Sequence, residues 1–201
     1  MIAIIDYGAG NLFSVKNACR YLNAAHFVTS KKEEIKKADG IILPGVGAFP
    51  DAMEKLQRQG LDEVLKQEAK KKPLLGICLG MQLLFEESYE YGKTKGLGLI
   101  PGTVREIQAK GLKIPHMGWN ELLVKNSCEM TEGIPEHSYV YFVHSFCADI
   151  EQQYLSCYAE YGEKITALVK KDFVYGAQFH PEKSGKVGLK MLENFVRLVE
   201  Q

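Results

Sequence analysis

The run Leu75-Gly76-Ile77-Cys78-Leu79-Gly80 sets one cysteine between two glycines, each two residues away. The residues before it read as a buried strand and those after it as a helix. That spacing is a nucleophile elbow with a thiol in place of a hydroxyl. The turn is strained, and a side chain at either flanking position would crowd it, so glycine suits both. A helix N-terminus beside the thiol favours the thiolate form. A lone cysteine is also among the residue types most often buried for packing alone. The elbow therefore needs partners before it implies catalysis.

A thiol nucleophile needs a base, and the base needs a group to orient it. The histidines are His26, His116, His137, His144 and His180. Four are expected to lack a carboxylate placed to orient the ring, and Glu136 is expected to face away from its neighbour His137. His180-Pro181-Glu182 differs. Proline pushes the residue before it into an extended conformation, and side chains two apart in an extended segment share a face. His180 and Glu182 are thus expected on one side, with the carboxylate in reach of the imidazole. Cys78 and His180 each follow an apolar strand, and active-site residues of α/β sheets gather at the C-terminal ends of strands. Joint placement there favours a Cys-His-Glu triad over a surface turn.

Acyl transfer also needs donors for the oxyanion. The amide of Leu79 is one candidate. A second lies in Pro44-Gly45-Val46-Gly47, where two glycines let the backbone present an amide and change its orientation. An ordinary strand-to-helix turn would use the same residues. Gly8-Ala9-Gly10 lacks the third glycine of a dinucleotide-binding turn and is set aside.

Positioning these groups requires a sheet. In the first half, strands are expected at Ile2–Ile5, Phe27–Thr29, Ile41–Leu43 and Pro73–Ile77. A helix between the first two carries Val15, Ala18, Cys19 and Leu22 at helical spacing. Ser30 and Glu33 read as a capping box for a short helix through Lys37. Pro50-Asp51 opens a further helix, Gly60 interrupts it, and a second reaches Lys70-Lys71-Lys72, whose charges suit a helix C-terminus. Leu79–Glu87 is expected to be helical. Strands that are continuously apolar and alternate with helices imply a parallel sheet covered on both faces. The second half offers strands at Thr103–Gln108, Glu121–Lys125, Tyr139–Phe146, Leu155–Tyr161, Ile165–Val169 and Phe173–Phe179, several in antiparallel hairpins. A final amphipathic helix carries Val187, Met191, Phe195 and Leu198.

The 201 residues suggest a single domain over 1–201, since domains run roughly 100–200 residues. A chain of that size buries about 70% of its unfolded surface and needs no staples. Lys plus Arg and Asp plus Glu number 25 each, a net charge of zero. Non-specific nucleic-acid binding draws on basic residues, so a neutral chain without a basic stripe is a poor candidate. No apolar run approaches the roughly 18 residues of a membrane span, and Asp6 comes too early for a signal peptide. Five cysteines with no Cys-x-x-Cys pair argue against a disulfide framework and a zinc site. These readings place an α/β protein in the cytoplasm.

Taken together, Gly76-Ile77-Cys78-Leu79-Gly80 and His180-Pro181-Glu182 resemble the triad (class I) glutamine amidotransferases. Within that family the chain is most similar to the glutaminase subunits of imidazole glycerol phosphate synthase. The matching stretches are Ile5–Leu12, Leu43–Phe49, Gly76–Leu84, Gly96–Ile100, Pro115–Asn120, Tyr141–Phe146 and Gln178–Ser184, so the resemblance spans essentially the whole chain. It implies a flavodoxin-like α/β fold, with a mostly parallel central sheet, helices on both faces and an added antiparallel portion in the C-terminal half. It implies Cys78 as nucleophile, His180 as base and acid, and Glu182 as orienter. Gly47, Gln82, His144 and Ser145 would hold glutamine, while Val46 and Leu79 would complete the oxyanion hole. Asn11, Trp119, Tyr141 and Lys183 would meet the partner, a (β/α)₈-barrel cyclase subunit that takes up the ammonia. No cofactor or metal is implied.

One triad domain accounts for the full length and leaves no residues for a synthase. Two other classes stay open on the sequence. One is a different cysteine-triad enzyme, such as a small peptidase or the glutaminase of another pathway. Met81 after Leu79-Gly80 and Lys183-Ser184 after Glu182 speak against the anthranilate and pyridoxal phosphate glutaminases. The other is a binding module that kept only the fold, which the intact Cys78, His180 and Glu182 oppose.

Overall fold

The computed structural model describes residues 1–201. In chain order, the first half holds β1 (Ile2–Ile5), α1 (Leu12–Tyr21), β2 (His26–Thr29), α2 (Lys32–Lys37), β3 (Gly40–Gly45), α3 (Phe49–Gln59), α4 (Leu61–Glu68), β4 (Leu74–Cys78) and α5 (Leu79–Gln82). The short strands β5 (Glu87–Ser88), β6 (Thr94–Lys95) and β7 (Thr103–Glu106) follow, then β8 (His116–Glu121) and β9 (Leu123–Val124). The remainder is β10 (Tyr139–His144), β11 (Phe146–Asp149), β12 (Leu155–Glu160), β13 (Lys164–Lys171), β14 (Val174–Ala177) and α6 (Gly185–Val199).

The central sheet runs β2-β1-β3-β4-β14-β13-β12-β9. From β2 through β14 neighbours are parallel, and from β14 to β9 they are antiparallel. Strands β1, β3, β4 and β14 are buried along their whole length. An unbroken apolar run fits a strand with a covered face on each side. One core, with Phe49, Leu56, Leu65 and Phe85, lies under α2, α3 and α4; the other, with Val15, Phe142, Phe179 and Phe195, lies under α1 and α6. Each large apolar side chain so buried contributes roughly 1.5–3 kcal/mol. A four-stranded sheet, β11-β7-β5-β6, and the β10–β8 pair flank the C-terminal edge. No helix is long and apolar enough to cross a membrane.

Several local expectations need correction. The capping box at Ser30 and Glu33 does not form: α2 starts after Lys31 without a side-chain cap. Thr29 Oγ1 takes that place, accepting from the Lys31 amide at 3.0 Å and donating to Glu34. The helix expected over Leu79–Glu87 stops at Gln82, because Glu87 and Ser88 are drawn into β5 against β7. His116–Glu121 is a strand that the sequence reading passed over, and the expected strand at Glu121–Lys125 shrinks to Leu123–Val124. Tyr139–Phe146 breaks at Ser145 into β10 and β11. Lys72 joins the ends of two helices, pairing with Glu68 at the end of α4 (2.9 Å) and donating to the carbonyls of Lys36 (2.8 Å) and Ala38 (2.6 Å) at the end of α2.

Candidate active site

Three neighbouring parallel strands, β3, β4 and β14, end at the same edge, and the register pairs Gly45 with Cys78. Cys78 takes φ 56° and ψ −114°, a left-handed backbone that costs a non-glycine residue about 1–3 kcal/mol. Glycine is required on both sides of it. A Cβ on Gly80 would overlap the Leu43 carbonyl oxygen, and one on Gly76 would press into the Gly80 backbone. The elbow read from the sequence is therefore present, though a single turn of α5, rather than a full helix, follows the thiol.

The segment after His180 is not extended as expected. His180 itself is extended, but Pro181–Lys183 forms one turn of 3₁₀ helix. The turn still brings the pair together: His180 Nδ1 donates to Glu182 Oε1 at 2.8 Å, and both side chains are almost wholly buried. A carboxylate accepts only, so Nδ1 carries the proton and Nε2 is left for the sulfur. Burial pulls the imidazole pKa down, but the interactions with Cys78 and Glu182 outweigh it and hold it up at about 9. The turn is braced by β10. The His180 amide donates to the Tyr141 carbonyl (2.9 Å), Ser184 Oγ donates to the His180 carbonyl (2.6 Å), and the Tyr141 amide donates to Ser184 Oγ (3.0 Å).

A pocket of about 440 Å³ is lined by Cys78, His180, Val46, Gly47, Leu79, Gln82, His144 and Ser145. All six residues expected at the substrate and oxyanion positions thus face the thiol and the imidazole. Glu182 stands behind His180, outside the lining. Gly47 has φ +97° and open space around its α-carbon, which gives the Val46-Gly47 backbone room to turn. Gln82 spends both amide hydrogens inside the protein, on the Phe146 carbonyl and on Gln178 Oε1, each at 3.0 Å. Gln178 Nε2 in turn lies 3.9 Å from Cys78 Sγ.

Asn11, Trp119, Tyr141 and Lys183 line no part of this pocket. Trp119 and Tyr141 sit opposite each other on β8 and β10, ring centroids 6.2 Å apart. Trp119 reaches the start of α6 beside Gly185, and α1 packs against the 3₁₀ turn that carries Lys183. Asn11 caps α1, accepting from the Ser14 amide. These four residues border one outer face, on which Met117, Trp119 and Tyr139 are exposed.

Sequence reasoning missed three parts of the site. Glu90 is buried in the pocket wall and accepts the Phe49 amide at 2.8 Å; burial raises its pKa, and the Phe49 hydrogen bond opposes that rise. Exposed Tyr91 stands beside it at the pocket rim. Nothing in local spacing marks either residue. Gln178 is the third, its amide held by Gln82 and turned toward the Cys78 sulfur. Contrary to expectation, His137 does meet carboxylates, Nδ1 lying 2.9 Å from Glu121 Oε1 and Nε2 4.0 Å from Glu136 Oε2, but this group is exposed and remote from the pocket.

A parallel sheet with a cysteine elbow and a buried His-Glu pair at its C-terminal edge defines a triad amidohydrolase architecture. Residues 3–199 match the class-I glutamine amidotransferase family, and the chain belongs to it. It is 52% identical over 201 residues to imidazole glycerol phosphate synthase subunit HisH of Bacillus anthracis and of Bacillus cereus, covering 100% of this chain and 96% of those proteins. Among solved structures it resembles a glutamine amidotransferase at TM-score 0.78 and 18% identity, covering all of both chains. It also resembles PurLQS from Thermotoga maritima at TM-score 0.75 and 20% identity, covering 98% of this chain and 97% of that one. These two likenesses concern the fold.

Proposed function

We propose that this chain is one glutamine amidotransferase domain, residues 1–201, serving as the glutaminase subunit of imidazole glycerol phosphate synthase in histidine biosynthesis. Cys78 gives its thiol proton to His180 Nε2 as its sulfur attacks the side-chain amide carbon of glutamine, and a carbon–sulfur bond forms. The oxyanion is held by the Leu79 amide and by a backbone amide of Val46-Gly47. His180, oriented by Glu182, gives its proton to the departing nitrogen, and the carbon–nitrogen bond breaks to release ammonia. Water, deprotonated by His180, then cleaves the thioester to glutamate and free thiol.

Glu90 offers a buried negative charge suited to the α-amino group of glutamine, and Ser145 and the backbone beside it suit the carboxylate. Ammonia in water is mostly protonated and no longer nucleophilic, so a protein must receive it directly. The apolar face with Trp119 and Tyr141, bordered by Asn11 and Lys183, is the surface assigned to that partner, a (β/α)₈-barrel cyclase subunit. The same reading assigns the work to the cytoplasm and requires no cofactor.

The observation that carries the proposal is Cys78 in its left-handed elbow, in one pocket with His180 held by Glu182, within a chain 52% identical to HisH over its length. The test is labelling with a glutamine-analogue electrophile, read by mass spectrometry. One adduct on Cys78, blocked by glutamine, is expected. No adduct, or equal labelling of the four other cysteines, would overturn the assignment.

A further inference from the structure

The ring of His144 has no nitrogen left for a substrate. Its Nδ1 lies 2.8 Å from the Phe146 carbonyl, and its Nε2 lies 3.0 Å from Nδ1 of His116. His116 Nε2 is 3.2 Å from Asn120 Nδ2, which also reaches the Glu160 carbonyl at 3.0 Å. The protons in this chain can be placed from either end. A carbonyl only accepts, so Phe146 requires the His144 proton on Nδ1, leaving Nε2 an acceptor. His116 must then donate from Nδ1 and accept at Nε2.

From the far end, the Glu160 carbonyl requires the amide nitrogen of Asn120 to face it. Asn120 Oδ1 confirms the orientation by accepting the Glu121 amide at 2.8 Å. Asn120 therefore donates to His116, and the two ends of the chain fix the same pair of neutral tautomers. A second proton on either ring would set two N–H groups against each other. Burial holds both rings well below the usual histidine range, His116 at about 4 and His144 at about 3. His116 is also clamped between Phe142 and Tyr161, ring centroids 4.6 and 4.1 Å away.

We propose that His116 is a positioning residue for the glutamine pocket, fixing the wall at 144–146 through the one-way chain Asn120→His116→His144→Phe146. The carbonyl at the end of the chain also accepts Gln82, whose other hydrogen holds Gln178 against the Cys78 sulfur. One immobile carbonyl thus anchors the pocket wall and the amides behind the nucleophile. The chain starts one residue from Trp119, on a strand whose opposite face exposes Met117 and Trp119. His144 acts through its backbone, not as a ring ligand to glutamine. The kinetic part of this inference rests on the glutaminase reading, whereas the tautomers do not.

The test has two arms. In the first, two-bond proton–nitrogen spectra of the ¹⁵N-histidine-labelled chain at neutral pH should show His116 and His144 both protonated at Nδ1, the His116 signals being those absent from His116→Asn. An Nε2–H form at either ring would overturn the chain. In the second, His116→Phe keeps the stacking but deletes the donor. It should raise the KM for glutamine roughly tenfold, the scale of one buried acceptor left unmet, with kcat changed much less. His116→Asn places an N–H where Nδ1 stood and should restore most of the loss. A KM unchanged in His116→Phe, or no better in His116→Asn, would refute the positioning role. A wild-type chain that cleaves no glutamine in complex with a cyclase would refute the glutaminase reading instead, with the tautomers still legible.

Discussion

His180 Nδ1 donates to Glu182 Oε1 across 2.8 Å, and the glutamate side chain that accepts is only 1% exposed. A carboxylate buried to that degree is stable mainly because the imidazole faces it. Replacing it by an amide of the same shape should leave the fold intact but remove what fixes the ring. Glu182→Gln is expected to lower glutaminase kcat on the order of 10²–10⁴-fold, the scale of losing a triad orienter. The pH dependence follows from the sign. His180 is held at about 9 against 6.5 for a free imidazole, so its stabilising effect is complete below pH 6.5 and lost as pH rises to about 9. Denaturant unfolding across that range should show the alkaline decline in wild type and a flatter curve in Glu182→Gln.

His116 and His144 act on the acid side with the opposite sign. Both stay neutral in the folded chain, down to about pH 4 and 3 respectively, while the unfolded chain takes up protons below 6.5. Stability should fall as pH drops from 6.5 toward 4, by on the order of 3 kcal/mol at most for His116. Urea unfolding at pH 7 and pH 5 measures this. His116→Asn should lose less stability than wild type between the two, and an equal loss would show that other groups dominate acid unfolding.

The left-handed backbone at Cys78 separates function from stability. Cys78→Ala should abolish glutamine-dependent synthesis in the reconstituted enzyme while synthesis from added ammonium salts continues. It keeps a Cβ at φ 56°, so it should gain no stability from relaxation of the turn. Cys78→Gly should be equally inactive but more stable than Cys78→Ala, by about 1 kcal/mol, since glycine adopts that conformation freely. Thermal unfolding of the two variants decides whether strain resides at the nucleophile.

Gly80 tests the packing beneath the elbow. A methyl group there would meet the Leu43 carbonyl, a backbone atom of a fully buried strand that has nowhere to go. Gly80→Ala is expected to destabilise the chain by about 3 kcal/mol or more, within the range of severe core substitutions. Gly8→Ala is the control, because nothing lies within 4 Å of the added group and only its positive φ opposes it. A Gly80→Ala melting point no lower than that of the control would mean that α5 and β3 move apart more readily than their close approach suggests.

Most of the sheet, and the placement of Cys78, His180 and Glu182 together, were legible because their signals are local. β1, β3 and β4 are continuously apolar, and the spacing around Cys78 states its own geometry. What escaped depends on contacts far apart in sequence. Leu79–Glu87 has helical spacing, yet pairing of Glu87 with Thr103 claims its end. His116–Glu121 alternates with the contrast inverted, polar His116 turned inward and Met117 and Trp119 exposed, so it lacks the apolar-inward signature of a strand. The Glu90 carboxylate is held in the pocket wall by the Phe49 amide, 41 residues away. The His180–Glu182 contact was anticipated on the wrong backbone, since an extended segment and a single 3₁₀ turn can both bring residues two apart together.

Lys183 presents the sharpest contrast between a solvated charge and a working one. It is exposed, next in sequence to the buried Glu182, and makes no ion pair within the chain. A surface lysine of that kind usually changes stability by less than about 0.5 kcal/mol when replaced, so Lys183→Ala should melt with wild type. Under the proposed function its place beside α1, on the face bordered by Asn11 and Trp119, puts it against the cyclase subunit. There a desolvated charge pair costs about 2–5 kcal/mol when one member is lost, whereas a rim charge mainly tunes association. Lys183→Ala should therefore weaken assembly, or let ammonia escape between the subunits, so that glutamate is formed in excess of cyclised product. The measurement is the ratio of glutamate to product, together with the dissociation constant of the complex. A ratio that stays at one to one with unchanged affinity would leave Lys183 a solvated surface residue and move the coupling to the apolar residues beside it.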